Sequence, residues 1–175
     1  DLAIQPDGKI VVAGQLFHEL GSVPVLARYE EQGFLDPTFN NKVVEIFSSL
    51  QFRPNAVTLK SDGKIVIAGE ASFIPESPSM MAVVFCNSDG SIDQTLGGIH
   101  TRSIGTLRSA ATSVAIQTGG RILAAGYANF SNEFQPVISD FALALFGNPI
   151  NHPPVVTITG PPSGSIFAVN TPVDF

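Results

Sequence analysis

A chain of 175 residues that is 44% hydrophobic, with a mean hydropathy of +0.26, has the apolar content to build a core and is not intrinsically disordered. Charged residues make up only 14% and the net charge is −6, so few lysines and arginines are left to cluster, which argues against nucleic acid and anionic membranes as partners. Glycine, proline or a charge breaks every apolar run well short of the roughly 18 residues that a membrane-spanning helix needs, and no membrane insertion is expected.

The first element is a short strand, Leu2 and Ile4 alternating with Ala3 and Gln5, closed by Asp7-Gly8 and followed by the apolar run Ile10 to Ala13. Alternation of period two marks a half-buried strand, Asp-Gly supplies the positive φ of a tight hairpin, and a run apolar on both faces marks a strand covered above and below. The same hairpin returns at Val57 to Gly69 around Asp62-Gly63, and at Val114 to Gly126 around Gly119-Gly120, so that Gly8, Gly63 and Gly120 stand 55 and 57 residues apart. That period belongs to a large β-repeat rather than to a helical solenoid.

Loops of differing composition follow at Gln15 to Val23, Glu70 to Ser79 and Tyr127 to Pro136. A third strand comes next at Val25 to Tyr29, Ala82 to Cys86 and Ala142 to Phe146. The first of these holds good helix formers, but its β-branched and aromatic second copy decides for strand. A second turn, Glu31 to Asp36 and Ser88 to Asp93, leads to a weaker fourth strand at Lys42 to Phe47 and near Thr101 to Ile104.

Four short antiparallel strands per period make a propeller blade. The fold class expected is all-β: a partial β-propeller of four-stranded antiparallel blades, with copies near 1–56, 57–113 and 114–146, plus the first strands of a truncated β-sandwich module. Leu2, Ile4, Ile10, Val12, Val57, Leu59, Ile65, Ile67, Val114, Ile116, Ile122 and Leu143 are expected in the cores between blades. After Phe146 the third copy breaks off into a proline-rich linker at 147–154, and Val155 to Thr159 and Ser165 to Val169 read as opening strands of a module over 155–175. Residue 1 falls inside a repeat copy, so the remainder of a longer polypeptide is expected to complete the array. The segment alone is expected to self-associate through an unpaired sheet edge.

Aligned, the copies read Ala-Ile-Gln-Pro-Asp-Gly-Lys-Ile-Val-Val-Ala-Gly at Ala3 to Gly14, then Val-Leu-Ala-Arg-Tyr at Val25 to Tyr29, then Gly33 and Leu35-Asp36-Pro37-Thr38-Phe39. This pattern, carried by residues 1–146, resembles the delta-60 (DUF5122-type) repeat of bacterial secreted and surface proteins. The second copy keeps Asp62 to Gly69 and Asp89 to Asp93 but has Phe85-Cys86 for Arg-Tyr, and the third has Gly119 in place of Asp. The resemblance implies a β-propeller array in a large exported protein, extracellular or at the cell surface, and no catalytic residues. The tail from Asn151, with Pro153-Pro154-Val155-Val156, is similar to the start of PKD or immunoglobulin-like modules.

Candidate chemistry is sparse. Asn87, Asp89, Ser91 and Asp93 place oxygens at alternate positions around Gly90, loosely like a calcium loop, but a hairpin turn explains them, and the first copy offers only Glu31, Gly33 and Asp36 there. His18, His100 and His152 lie far apart without a second ligand at zinc spacing. Ser109, Ser113 and Asp140 carry no nucleophile-elbow motif. Asn129-Phe130-Ser131 fits a glycosylation acceptor, and Cys86, the one cysteine, reads as a small buried hydrophobe. The function expected is a non-catalytic structural or binding module without cofactor or metal. It would present Phe17 to Val23, Phe73 to Met80 and Phe130 to Ile138 to a protein or carbohydrate partner. The alternative is part of an exported hydrolase-type propeller enzyme whose active site lies outside this segment.

Overall fold

The computed structural model describes residues 1–18, 21–39, 43–45, 51–73, 78–132, 135–147, 156–159 and 166–169. They form three antiparallel sheets. The first blade contains β1 (Leu2–Ile4), β2 (Ile10–His18), β3 (Gly21–Tyr29) and β4 (Val43–Glu45), neighbours in that order. The second contains β5 (Gln51–Leu59), β6 (Ile65–Ser72), β7 (Met80–Cys86) and β8 (Ile99–Arg102), and the third β9 (Ser109–Ile116), β10 (Ile122–Asn132) and β11 (Gln135–Phe146), extended by β12 (Val156–Thr159) and β13 (Ile166–Val169). The protein is thus all-β with propeller-like blades, and Val25 to Tyr29 is strand.

Several strands outrun their sequence signal. Leu16 pairs with Val23 and Tyr127 with Phe141, so most of Gln15 to Val23 and Tyr127 to Pro136, expected as loop, is hairpin ladder. Backbone pairing does not depend on side-chain polarity, and apolar residues mark only the part of a strand that faces another sheet. The fourth strand of the second blade starts at Ile99, not Thr101. Of the strand expected at Lys42 to Phe47, Lys42, Ile46 and Phe47 lie outside the described residues.

Alternation along the strands divides each blade into a face toward the preceding blade and a face toward the following one. In the second blade Val57, Ile65, Ile67, Ala82, Val84 and Cys86 bury against Val11, Ala13 and Leu26 of the first. Its opposite face, with Val66, Ala68, Met81, Val83 and Phe85, buries against Ile122, Ala124, Ala142, Ala144 and Phe146 of the third. Both faces of β6 are therefore covered, which explains its continuous apolar run.

This arrangement corrects the expected core. Val57, Ile65, Ile67 and Ile122 are buried, and Leu59, Val114 and Ile116 pack at the margins. Leu2 and Ile4, however, are 56% and 65% exposed, and Ile10, Val12 and Leu143 are half-buried. Period two assigns a residue to a face but does not say whether a sheet stands opposite. Leu2, Ile4, Ile10 and Val12 lie on the preceding face of the first blade and Leu143 on the following face of the third, and both are uncovered. Among the described residues the array leaves two sheet faces open, in addition to the edge strands that end each sheet.

β12 pairs with β11 through Leu143↔Thr157 and Ala144↔Val156. The equivalent pairs in the other blades are Leu26↔Val44 with Ala27↔Val43, and Val83↔His100 with Val84↔Ile99. β12 thus occupies the fourth-strand position in the same register, although sequence reading sets residues 155–175 apart as a new module. β13 completes a hairpin with it, Ile158 opposite Phe167. The intervening linker residues 148–155, His152 among them, lie outside the described residues.

Candidate functional site

Each blade has two ends. At one lie the β1–β2 and β3–β4 turns and their counterparts; at the other lie the β2–β3, β6–β7 and β10–β11 hairpins and the crossings between blades.

At the turn end one geometry recurs. Gly8 N–H donates to Gln5 O, Gly33 to Glu30 O, Gly63 to Lys60 O, Gly90 to Asn87 O and Gly120 to Gln117 O, closing turns whose last residue has positive φ. In the β7–β8 turn Asp89 Oδ1 accepts from Ser91 N (2.9 Å) and Ser91 Oγ (2.7 Å), and Asn87 Nδ2 donates to Ser91 Oγ (2.9 Å). Asp7 and Asp62 clamp the backbone N–H of Lys9 and Lys64 in the same way. The Asn87, Asp89 and Ser91 side chains are thus engaged with one another in an Asx-type turn.

Asp93 belongs to a different structure. Its Oδ2 accepts from Lys64 Nζ (2.6 Å) and its Oδ1 from Thr95 N (3.0 Å) and Thr95 Oγ1. Asp36 repeats this one blade earlier: Oδ2 accepts from Lys9 Nζ (2.6 Å) and Arg28 Nε (2.7 Å), Oδ1 from Thr38 N (2.8 Å) and Thr38 Oγ1 (2.6 Å). Both carboxylates are buried. Hydrogen bonds from Lys64 and Thr95 hold the Asp93 pKa at about 2, and those from Lys9 and Thr38 hold Asp36 well below the ordinary carboxylate range. A carboxylate with both oxygens satisfied from within the fold is an anchor for the turn, not an acid–base group. Sequence reading places Asp36 and Asp93 in the second turn and weighs them against a calcium loop. The signal it passed over is that Lys9 and Lys64 recur in step with them.

Arg28 carries this anchor across a junction. Its Nη1 donates to Ser88 O of the second blade (2.8 Å), and its guanidinium lies 4.6 Å from the ring centre of Phe39. The Phe39 ring is fully buried and stands over Gly90, where an added Cβ would come within 2.5 Å of the ring. Phe39 is a plug from one blade seated on the turn of the next.

The remaining candidates do not converge. Ser109 is buried and staples β7 to β9, donating from Oγ to Ser79 O (3.2 Å) and accepting from Met81 N (3.1 Å). Ser113 is exposed on β9, and Asp140 is half-buried on β11. His100 Nε2 lies 2.6 Å from Leu96 O, with its ring edge-on to Phe85. His18 ends β2. Asn129 sits within β10 with its side-chain oxygen buried, so the Asn-Phe-Ser triplet is built into a ladder. Burial, with Asp93 and Asp89 nearby, pushes the Cys86 thiol up to about 12, which makes it inert.

The opposite, hairpin end is apolar. Phe17 and Phe73 are 80% and 70% exposed, joined there by Val137, Ile138 and Leu107. One ion pair stiffens this end: Arg108 Nε donates to Glu70 Oε1 (2.6 Å) and Nη2 to Oε2 (2.5 Å), with Arg108 beside the Tyr127 ring. Burial raises the Glu70 pKa, but Arg108 and Ser79 outweigh it and the net shift is downward.

Two windows of the chain, residues 5–39 and 60–96, match a β-propeller domain of unknown function, DUF5122. None of the curated proteins compared with the chain matches it. The two DUF5122 windows are equivalent parts of successive repeats. Each opens at the first turn, Gln5 or Lys60, and ends on the residue after the anchored Asp-x-Thr, Phe39 or Leu96. Anchor and plug thus lie within the matched windows, as do Phe17 at the end of β2 and Phe73 just after β6, whereas Leu107, Val137 and Ile138 lie outside them.

Proposed function

We propose that the array is a non-catalytic recognition module of a bacterial secreted or cell-surface protein, gripping a protein or carbohydrate partner with its hairpin end. The observation that carries this is the contrast between ends. The polar side chains of the turn end are taken up by hydrogen bonds and ion pairs and, among the described residues, only Phe34 and Leu35 stand out there, while the hairpin end holds a larger set, Phe17, Phe73, Leu107, Val137 and Ile138, out to solvent. Exposed aromatic side chains on rigid hairpins are the residue type that anchors interfaces and stacks on sugar rings. Within this reading residues 155–175 begin a further PKD-like or immunoglobulin-like module that docks on the third blade through β12.

The test is a screen of immobilised bacterial polysaccharides and peptides against the chain and its Phe17→Ser/Phe73→Ser variant. The expected result is binding that falls about tenfold or more in the variant, with an unchanged melting curve. A hydrolytic turnover by the chain, or binding indifferent to both phenylalanines, would contradict it.

A further inference from the structure

Three Asp-Gly pairs close turns at the turn end of the array, and one of them has different surroundings. Asp62 lies in the β5–β6 turn with half of its side chain exposed, although the first blade is seated against the second. Its Oδ1 accepts from Lys64 N (3.1 Å), its Oδ2 lies 3.3 Å from Lys60 Nζ, and Gly63 N–H donates to Lys60 O (2.9 Å). All of these bonds are made within the turn, and a Cβ added at Gly63 would meet nothing closer than Ser88 Cβ at 3.8 Å. The Asp7-Gly8 turn repeats the arrangement, with Lys9 N donating to Asp7 Oδ1 (3.2 Å) and Gly8 N–H to Gln5 O (2.9 Å).

The Asp89-Gly90 pair is enclosed. Gly90 is buried beneath the Phe39 ring of the first blade, and Arg28 of the first blade holds Ser88 O, the carbonyl just ahead of Asp89. Asp89 Oδ1 accepts from both Ser91 N and Ser91 Oγ. Opening this turn means parting two blades, whereas opening the Asp62-Gly63 turn breaks contacts local to one hairpin, and small local openings are the more populated.

We propose that Asp62-Gly63 and its repeat Asp7-Gly8 are sites of spontaneous isoaspartyl formation, and that the blade junction protects Asp89-Gly90 from it. When the turn opens, the Gly63 nitrogen attacks Cγ of the protonated Asp62 carboxyl. The C–N bond forms, the Cγ–OH bond breaks, and the hydroxyl leaves as water with the amide proton. Glycine has no side chain to obstruct this ring closure. Water then opens the succinimide. Cleavage on the main-chain carbonyl side leaves the chain running through Cβ and Cγ of residue 62, and cleavage on the other side restores aspartate. The isoaspartyl product lengthens the turn by one carbon two residues ahead of Lys64, whose Nζ holds Asp93 (2.6 Å), so the change is passed to the anchor. This inference is independent of what the hairpin end recognises.

The test holds the chain for several weeks in neutral buffer, warm but below its melting temperature, and locates isoaspartate by peptide mapping with electron-transfer fragmentation, which separates it from aspartate at equal mass. Isoaspartate at positions 62 and 7 is expected to exceed that at 89 by about tenfold or more, since only the last must wait for a junction to part. In urea, where no turn is protected, the three positions should agree within about twofold. Phe39→Leu, which sets the smaller side chain of the second junction over Gly90, is expected to raise isoaspartate at 89 several-fold and leave that at 62 unchanged, with circular dichroism showing the variant folded. Equal isoaspartate at 89 and 62 in the folded wild-type chain would overturn the proposal, as would formation at 62 in urea with none in the folded chain. A folded Phe39→Leu chain in which position 89 stays as protected as in wild type would overturn it as well.

Discussion

Between the first and second blades the Phe39 ring is fully buried on Gly90, whereas between the second and third the equivalent Leu96 is half-buried and borders a small cleft with Gly147, His100, Phe85, Lys60, Gly120 and Ile122. The anchors differ in the same sense. Asp36 holds two cations, Lys9 and Arg28, and Arg28 reaches on to Ser88 of the next blade. Asp93 holds Lys64, and Phe85 occupies the position of Arg28. One repeat pattern thus yields two junctions braced at different ends: the first at the turn end, by Phe39 and by Arg28 on Ser88, and the second at the hairpin end, by Ser109 on Met81 and Ser79 and by Arg108 on Glu70.

The largest difference should come from emptying the plugs. Phe39→Ala is expected to cost about 4 kcal/mol in denaturant unfolding, in line with removal of a fully buried aromatic ring. Leu96→Ala removes a smaller, half-buried side chain and should cost no more than about 2 kcal/mol. Equal losses would mean that the two junctions are alike.

Next come the anchors. Asp36→Asn strands two cations and is expected to cost about 3 kcal/mol, more than Asp93→Asn, which strands one. Both carboxylates have depressed folded pKa values, so their contribution is complete above the ordinary value of 3.8 and drains away as the pH falls through the folded value, about 2 for Asp93. Melting temperatures measured down to pH 2 should therefore fall less steeply in the Asn variants than in wild type.

The smallest effect should be a gain. Leu96→Phe places in the second junction the ring that fills the first and is expected to stabilise the protein by about 1 kcal/mol, the usual yield of cavity filling. Destabilisation would show that the cleft is not the counterpart of the Phe39 seat.

Much of this was written in the sequence. Val57, Ile65 and Ile67 betray a core face by alternation, and the Asp-Gly and Gly-Gly turns place the first hairpin of each blade, because both signals are local. Leu2 and Ile4 carry the same alternation yet are exposed, since a period cannot report whether a sheet stands opposite. The Lys9–Asp36 and Lys64–Asp93 anchors join residues 27 and 29 positions apart, and only strand register brings them together. β12 was unreadable as a fourth strand because prolines precede it and its partner is chosen by an open position on β11. Phe17 and Phe73 were visible as aromatics in the segments between the second and third strands.

A double-mutant cycle at the plug tests the account most directly. Gly33 and Gly90 occupy the same turn position with φ +86 and +88, but an added Cβ at Gly33 meets nothing within 4 Å, while at Gly90 it meets the Phe39 ring. Gly33→Ala should therefore cost about 1 kcal/mol, the penalty of the left-handed backbone, with or without Phe39→Ala. Gly90→Ala should cost about 2 kcal/mol more than that in the wild-type background, and only the backbone penalty once Phe39→Ala has removed the ring. If Gly90→Ala costs the same in both backgrounds, Phe39 is not the plug that locks the first blade to the second.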